Sequence, residues 1–549
     1  MSEYLAGQEF PQKVFTNSGL TGEQHMEKAI KRIHAWMEQR FNFGFSEYLS
    51  NCYLSENIAP MSNFIEYAKD KASVEKMKKV MDILWFDVAL HTLNNRFCAV
   101  SSRMYGNNKA SNYLGNSLAV CMNKLWGEES LNYILHAEDI SAEEKEQMQE
   151  LLLKEPSSIS INFCTMYDRG FYKLPSVIKN IALSHDTAQI KLSSGLSPED
   201  LETENLIGLE PHQIMAQWGA ETFTDPQVIQ NTLKIVKKYK LGRNSMVFYF
   251  KFFNLPILRF ANWKKFCEKH EIMPHGISLG RGNVYTYRTK DYIMSTVVNC
   301  EPDACGGQEH IWGVNIANNL SFFTTQPARD DENYGSSPGY WIGNGRRPMS
   351  VQNKNVNITI YKIPTKKRLM EFRISQMTHA YMSKCFYDIL EQEENYIFAQ
   401  KGNVLLAFIS NQKMKFKPFH KESIEPLYKS EGIDAHPKKY QVDSEFDLCQ
   451  YGGTYHSYIT EVSDIQTECF ADFKQRIKSN KVAFQNGRVS YASNGTTLQV
   501  KYSGEFTVNG KTVETEFKRY DTPYCVAERK DSNIELHDKK EEYNISLSL

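Results

Sequence analysis

The stretch that decides the fold reads YTYRTKDYIMSTV at residues 285–297, GGQEHIWGVNIANNLSFFTTQP at 306–327 and PGYWIGNGRRP at 338–348. These runs are short, rich in Tyr, Val, Ile, Thr and Phe, and separated by Gly, Asn and Pro, which is typical of β-strands joined by turns. The same stretch also holds most of the candidate site residues of the chain. We therefore interpret it as the start of a β-domain that carries a binding surface.

One strand in this stretch combines several polar and aromatic side chains. Alternation along a strand would send Gln308, His310 and Trp312 to one face and Glu309 to the other. An amide, an imidazole and an indole on one face suit a polar, ring-shaped ligand such as a sugar, with the indole as a stacking plate. The alternative is a structural histidine beside a core tryptophan.

Short strands continue to the end of the chain. Runs such as NVNITIYKI, TYHSYITEV and KVAFQNGRVSYAS are bounded by Gly, Asn or Asp, and Asn509-Gly510 suits the two positive-φ positions of a type I′ hairpin turn. Regularly spaced strands with few helices between them predict antiparallel sheets, most simply a β-sandwich over residues 285–549.

The preceding part of the chain has the period of helices. In MEKAIKRIHAWMEQRF (26–41) and VEKMKKVMDILWFDVALHTL (74–93) apolar residues recur every three or four positions, and DPQVIQNTLKIVKKYKLG (225–242) begins with an Asp cap followed by Pro. Helices separated by short polar turns, without a regular repeat, predict a helical array or an incomplete (α/α) toroid over residues 1–250. Residues 251–284 form the predicted junction.

Composition narrows the class of protein. The chain of 549 residues has 64 basic and 65 acidic residues, so its formal charge is -1 and no electrostatic case for nucleic acid follows. The N-terminal sequence lacks the pattern of a secretory signal, and no apolar run approaches the ~20 residues of a membrane span. The 11 scattered cysteines indicate free thiols in a reducing compartment. We expect a cytoplasmic protein, acting on an imported oligosaccharide, and the composition is compatible with a homo-oligomer.

Three motifs resemble parts of one enzyme family. GGQEHIWGVNIANNLSFFTTQPA (306–328) is similar to the opening sandwich strands of heparinase II/III-like polysaccharide lyases, and SSRMYGNNKAS (101–111) and RYDTPYC (519–525) resemble further parts of divergent bacterial members. The order of a helical toroid followed by a β-sandwich is also that of the family. The family's histidine-x-histidine/aspartate spacing is replaced by His310-Ile311-Trp312, and Ser102 stands where a toroid histidine is expected.

The resemblance implies cleavage of a uronic-acid-containing glycan by β-elimination. Such a reaction needs donors that neutralise the uronate carboxylate, a base that takes the C5 proton and an acid that protonates the leaving oxygen. His310 and Tyr105 would be the catalytic pair, with Arg103 lowering the pKa of the tyrosine, while Asn107 and Asn108 would bind substrate. The resemblance implies no required cofactor. Because the histidine strand is altered, it stays open whether a divalent metal is bound. The alternative for the Asn-rich segment is a capped interhelical loop.

The segment at 338–348 offers further candidate ligands. Its glycines permit tight turns that would expose Tyr340, Trp341, Asn344 and Arg346, and the arginine suits a bidentate grip on a carboxylate. A structured loop that closes the edge of the sandwich is the alternative. Together with Gln308 and Trp312, these residues are the predicted substrate contacts.

Two other classes of function stay open. A glycoside hydrolase on the helical toroid would use two carboxylates about 5 to 10 Å apart. The candidate residues are Asp87, Glu128, Asp168 and Glu221. The absence of the toroid histidine also fits a relative that binds carbohydrate without catalysis.

Overall fold

The computed structural model describes most of the chain. The described residues are 1–105, 108–109, 117–129, 142, 145–146, 149, 158–220, 225–244, 279–316, 320–328, 337–369, 371, 374–417 and 447–548. They contain a group of helices followed by many antiparallel sheets, so the predicted mixed α+β class is confirmed.

The described helices lie mainly before residue 240. They are α1 Ser2–Glu9, α2 Gly22–Phe43, α3 Leu54–Tyr67, α4 Lys71–Leu90, α5 Ala119–Met122, α6 Ser158–Asp168, α7 Ser176–Leu183, α8 Pro198–Thr203, α9 Pro211–Gly219, α10 Pro226–Lys238 and α11 Phe470–Ser479. A π-helical turn at Asn123–Gly127 continues α5. None of the helices in the described ranges combines the length and the apolar character that a membrane crossing requires.

Local signals determine where these helices begin. The side chain of Thr21 accepts a hydrogen bond from the backbone of Gln24, whose own side chain caps α2 in return. Asp225 accepts hydrogen bonds from two backbone amides at the start of α10, with Pro226 in the first turn, as the sequence predicts. Helix α4 carries an apolar stripe and is buried along all of its last ten residues, so it is the central helix of this region.

The strands in the described ranges start early and continue to the C-terminus. They are β1 Thr92–Leu93, β2 Arg96–Phe97, β3 Ala188–Gly195, β4 Arg281–Arg288, β5 Tyr292–Val297, β6 Trp312–Ile316, β7 Leu320–Phe322, β8 Thr324–Thr325, β9 Met349–Asn353, β10 Val356–Lys362, β11 Met377–Tyr381, β12 Ile389–Glu393, β13 Tyr396–Lys401, β14 Val404–Ser410, β15 Lys415–Lys417, β16 Asp447–Tyr451, β17 Tyr455–Asp464, β18 Lys481–Gln485, β19 Arg488–Ser493, β20 Thr496–Lys501, β21 Phe506–Val508, β22 Lys511–Thr512, β23 Tyr520–Thr522, β24 Cys525–Ala527, β25 Asn533–His537 and β26 Glu542–Ser546.

A seven-stranded antiparallel sheet connects distant parts of the chain. Its order is β24-β23-β3-β4-β5-β6-β7. Strand β3 pairs with β4 along eight residues and with β23 on its other side. The helical interpretation of residues 1–250 did not include β3, because a lone alternating run gives no indication of strand partners that follow much later in the sequence. Through β23 to β26 the C-terminal segment joins the core of the helical region.

A six-stranded sheet, β12-β13-β14-β17-β10-β9, is apolar on both faces. Along β14, Leu406 and Phe408 pack into the cluster that includes β5, β6 and β7, whereas Leu405, Ala407 and Ile409 pack into a cluster with α11 and a five-stranded sheet. The continuous apolar run of β14 follows from this burial on both sides. Further along, Asn509 and Gly510 adopt positive φ between β21 and β22, so the predicted hairpin is present.

Candidate functional site

Backbone pairing joins the two segments that the sequence analysis assigned to one site. The amide of Ser101 donates to the carbonyl of His310 at 3.1 Å, and the amide of His310 donates back to Ser101 at 2.8 Å. The amide of Met104 donates to the carbonyl of Gln308 at 3.0 Å. Residues 101–104 therefore run antiparallel to residues 308–310, although about two hundred residues separate them in the chain.

Tyr105 lies at the end of this pairing. Its hydroxyl is 2.8 Å from the hydroxyl of Tyr53, and the Gln308 side-chain amide donates to it at 3.5 Å. The same amide nitrogen also donates to the Ser337 hydroxyl at 3.0 Å. A phenol from the helical region, an amide from the segment before β6 and a hydroxyl from the next loop thus converge, while the site roles of Tyr105 and Gln308 stay a prediction.

Arg103 acts on the pKa of Tyr105 in the expected direction, but other effects outweigh it. Burial and the hydrogen bond to Tyr53 raise the pKa of Tyr105, and the opposing charge of Arg103 does not offset them. Arg103 pairs with Glu47 at 2.9 Å and lies over the ring of Tyr53 at 5.3 Å. Tyr105 therefore carries its proton at neutral pH and is suited to donate a proton rather than to accept one.

His310 is buried at the base of the pairing. Its ring makes an edge contact with Phe323, with centroids 5.2 Å apart. Burial lowers the pKa of His310 well below its ordinary value, and the charge of Lys109 lowers it further. A Cβ on Gly313 would lie 2.8 Å from Nε2 of this ring, so the absence of a side chain at Gly313 makes room for the imidazole. At neutral pH His310 is an uncharged base.

Lys109 is a residue that the sequence analysis missed. Its side chain is 1% exposed, and its ammonium group donates to the backbone carbonyl of Trp341 at 2.8 Å. It lies 5.6 Å from the centroid of the Phe323 ring that His310 also contacts. Burial lowers the pKa of Lys109 to about 7, against the opposing effect of Glu309. A lysine in an Asn-rich loop is usually solvated, so only the fold reveals this one.

Glu309, the residue before His310, forms a buried ion pair with Arg347. Glu309 is fully buried, its carboxylate contacts Nη2 of Arg347, and it accepts hydrogen bonds from the backbone amides of Leu279 at 3.0 Å and Gln308 at 3.1 Å. Arg347 also donates to Glu301 at 3.1 Å. Glu309 thus fixes the backbone at residues 308–310, a role that strand alternation alone did not predict.

The prediction that Trp312 is a stacking plate is wrong. Strand β6 begins at Trp312, after His310, and the indole is 1% exposed in the core between β6, β7 and β14. Its Nε1 donates to the Thr324 hydroxyl at 3.0 Å. Gln308, His310 and Trp312 do not share a surface, because the extended alternation starts only at the strand itself.

The segment at 338–348 is built into the fold. Tyr340 and Trp341 are buried, and the indole of Trp341 stacks on His379 at 3.8 Å. His379 in turn lies 3.0 Å from Asp447, to which the hydroxyl of Tyr340 also donates. The expected exposure of these two aromatic residues is therefore wrong, and the alternative of a structured loop describes them.

Two other residues of this segment also have partners within the protein. Asn344 is buried, and its side-chain oxygen accepts a hydrogen bond from the backbone amide of Gln326 at 3.1 Å. Arg346 binds a carboxylate bidentately as the sequence suggested, but that carboxylate is Glu371, at 2.9 and 3.0 Å, and Asp303 is a second partner at 3.3 Å. Because the side chains of Asn344 and Arg346 already bind groups of the protein itself, their expected contacts with a substrate are wrong.

The remaining candidates have varied positions. Asn108 is buried, and Asn107 lies outside the described residues, as does the carboxylate candidate Glu221. Asp87 is buried against Arg519 and Tyr520, which accounts for its charge without a substrate. The other two carboxylates are Glu128 and Asp168, both exposed, and the second pairs with Lys124. Within the described ranges, no three His, Cys, Asp or Glu side chains are grouped so as to hold a metal ion.

Comparisons with known proteins add one similarity. No protein-family model matches the chain, and no curated protein sequence matches it. A crystal structure of heparinase III is similar to the chain with a TM-score of 0.35 and 9% sequence identity, over 95% of this chain and 66% of that chain. The chain thus spans slightly less than two thirds of the length of that structure.

Proposed function

We propose that the protein is a carbohydrate-active enzyme, a polysaccharide or oligosaccharide lyase that cleaves a uronic-acid-containing glycan by β-elimination in the cytoplasm. The observation that carries the proposal is the pairing of residues 101–104 with 308–310, which unites the two motifs that resemble heparinase II/III-like lyases. We include in this proposal a toroid-like helical domain over 1–250, a junction over 251–284 and a β-sandwich over 285–549.

The electrostatics of His310 and Tyr105 support one assignment of the roles of base and acid. His310 is uncharged at neutral pH and serves as the base, whereas Tyr105 keeps its proton and serves as the acid. Two titratable groups whose environments push their pKa values in opposite directions are typical of an acid and base pair. This assignment replaces the expectation that Arg103 activates a tyrosinate.

The step conserves atoms and charge. The imidazole of His310 takes the C5 proton of the uronate, the C4–O bond breaks, and a C4=C5 double bond forms. Tyr105 gives its proton to the leaving oxygen, and transfer of a proton from the imidazolium to the phenolate restores the enzyme. We assign to Gln308, whose side-chain amide donates to Tyr105 at 3.5 Å and to Ser337 at 3.0 Å, an exchange of its bond to Ser337 for one to the substrate carboxylate, where it would stabilise the developing charge.

The test is an ultraviolet assay of the purified protein against a panel of uronic-acid oligosaccharides, because only elimination creates the absorbing unsaturated uronate. We expect His310→Gln and Tyr105→Phe each to lose activity by at least about 100-fold, the usual contribution of general acid–base groups. Glu128→Gln is the matched control, since this exposed carboxylate belongs only to the hydrolase alternative.

The outcomes separate the three classes of function. A rise in absorbance that both variants abolish supports the lyase. Release of reducing sugar without absorbance, lost on removal of carboxylates but not of His310, would replace it with a hydrolase. Sugar binding without any cleavage would indicate a non-catalytic relative. Of the three carboxylate candidates within the described ranges, Asp87 is buried against Arg519 and Asp168 pairs with Lys124, so only Glu128 is without such a partner and the candidates give the hydrolase no free pair.

A further inference from the structure

The helical region, the sheet and the loop at 337–348 meet around one buried cation. Lys109 belongs to the helical segment, its ammonium group donates to the carbonyl of Trp341 in the loop, and it lies over the ring of Phe323 next to the sheet. His310 contacts the same phenyl ring from the other segment. A lysine buried to this degree normally has a carboxylate partner, but here the direct partner is a carbonyl and an aromatic face.

We propose that Lys109 is a positioning residue of the site: its ammonium group holds the loop at Trp341 in place and sets its charge beside the imidazole of His310, across the phenyl ring that both contact. This inference rests on the proposed function for its catalytic meaning, but its physical content is independent of the substrate. The ammonium group of the buried lysine is bound to the Trp341 carbonyl, so it acts through the loop and through its charge beside His310.

The order of proton uptake supports this role. With a pKa of about 7, Lys109 takes up its proton before His310 as the pH falls, and its positive charge then opposes a second proton on the imidazole. Glu309 favours the charged lysine but is itself neutralised by Arg347. Burial first, and the charge of Lys109 in addition, lower the pKa of His310 well below its ordinary value.

Other charged and titratable groups lie on the elements around Lys109 and His310, and of these only Glu309 acts measurably on the charge of Lys109. On the helical side they are Tyr48, Tyr105, Tyr53, Arg103 and Glu47, on the sheet side Glu309, Arg347 and Glu301, and behind the loop His379, Tyr340 and Asp447. The cations Arg103 and Arg347 each pair with a carboxylate, so Lys109 is the cation in this set that contacts only a carbonyl and a ring.

The test follows the titration of His310 by NMR in protein labelled at histidine Cε1, with the His310→Gln spectrum identifying the signal. In the wild type we expect the signal to keep its neutral shift to well below pH 6.5. In Lys109→Met, removal of the neighbouring charge raises the proton affinity of His310 by about tenfold or more, which is about one pKa unit. Lys109→Arg keeps the charge and should titrate like the wild type.

A surface variant and the activity assay complete the experiment. Lys124→Met removes an exposed lysine that pairs with Asp168, and it should leave the His310 titration unchanged. If a uronate substrate is found, the acid limb of the pH profile shifts upward in Lys109→Met and returns in Lys109→Arg. If Lys109→Met does not fold, Lys109→Gln gives the same charge removal with a polar end group.

Superimposable His310 titrations in wild type and Lys109→Met would overturn the inference. This outcome is distinct from failure of the proposed function, because the NMR titration needs no substrate. An enzyme that cleaves no uronate but shows the shifted titration would refute the lyase and retain the coupling between Lys109 and His310.

Discussion

Removal of the Glu309 carboxylate is the most informative single perturbation of the fold around the site. In Glu309→Ala, Arg347 keeps only Glu301 as an ionic partner, and the amides of Leu279 and Gln308 lose their acceptors. Breaking a buried ion pair from one side costs about 3–5 kcal/mol, and each orphaned buried amide about 1–3 kcal/mol, with water entry reducing the sum. We expect the free energy of unfolding to fall by about 4 kcal/mol or more.

Urea unfolding at pH 7, followed by tryptophan fluorescence and circular dichroism, measures this loss. A chain of this size can unfold in stages, so the comparison applies to the transition in which both signals change together. Glu301→Ala is the matched control, because this carboxylate pairs with the same Arg347 but is partly exposed, and its removal should cost less than about 1 kcal/mol. Glu309→Gln keeps one acceptor and the side-chain volume, so its loss should be intermediate.

The double variant Glu309→Ala with Arg347→Met tests how much of the loss comes from the uncompensated charge of Arg347. Burial lowers the pKa of Arg347, but Glu309 and Glu301 outweigh it, so the guanidinium is charged in the native protein. Removing both partners eliminates the uncompensated cation, and the double variant should be more stable than Glu309→Ala alone. A loss below about 1 kcal/mol in Glu309→Ala, or a double variant that is no more stable than it, would refute the reasoning.

Three further predictions concern the core, the pH and the site. Trp312→Phe removes a buried hydrogen bond to Thr324 and part of the core volume, so the free energy of unfolding in urea should fall by about 1–3 kcal/mol. Burial lowers the pKa of His91 to about 4 from an unfolded value of 6.5, so the unfolded chain binds more protons at this residue between these pH values. The contribution of His91 to stability therefore falls by about 3 kcal/mol as the pH drops through this window. Because His310 and His456 also have lowered pKa values, the measurement is the free energy of unfolding in urea of the wild type relative to His91→Gln, which should fall by about this amount from pH 6.5 to pH 4. Gly313→Ala places a Cβ against the imidazole of His310, so its NMR signal should shift and uronate cleavage should fall, whereas an unchanged signal would show that the ring has room.

Part of the site followed from the sequence. The meeting of Tyr105 with Gln308, and of the segments around them, agrees with an expectation that rested on motif resemblance. The sequence could not show that Arg346 binds Glu371, since a side chain suited to a ligand carboxylate is equally suited to a carboxylate of its own chain. It also could not show that Trp312 lies in the core, because the alternation of side chains along a strand does not say which face is buried.

The sequence by itself determined the local elements. These elements depend on residues that are close together in the chain, so they can be predicted from the sequence alone. Examples are the 3.6-residue period of α2 and α4, the Asp225 cap and the Asn509-Gly510 turn.

Only the tertiary structure decided which groups are removed from water and which charges become neighbours. Lys109 contacts the Trp341 carbonyl across 232 residues, and β3 pairs with β4 after a long intervening segment and with β23 near the end of the chain. The exposure of a side chain and the pKa of its titratable group depend on those distant contacts, because burial and neighbouring charge act through space and not along the sequence.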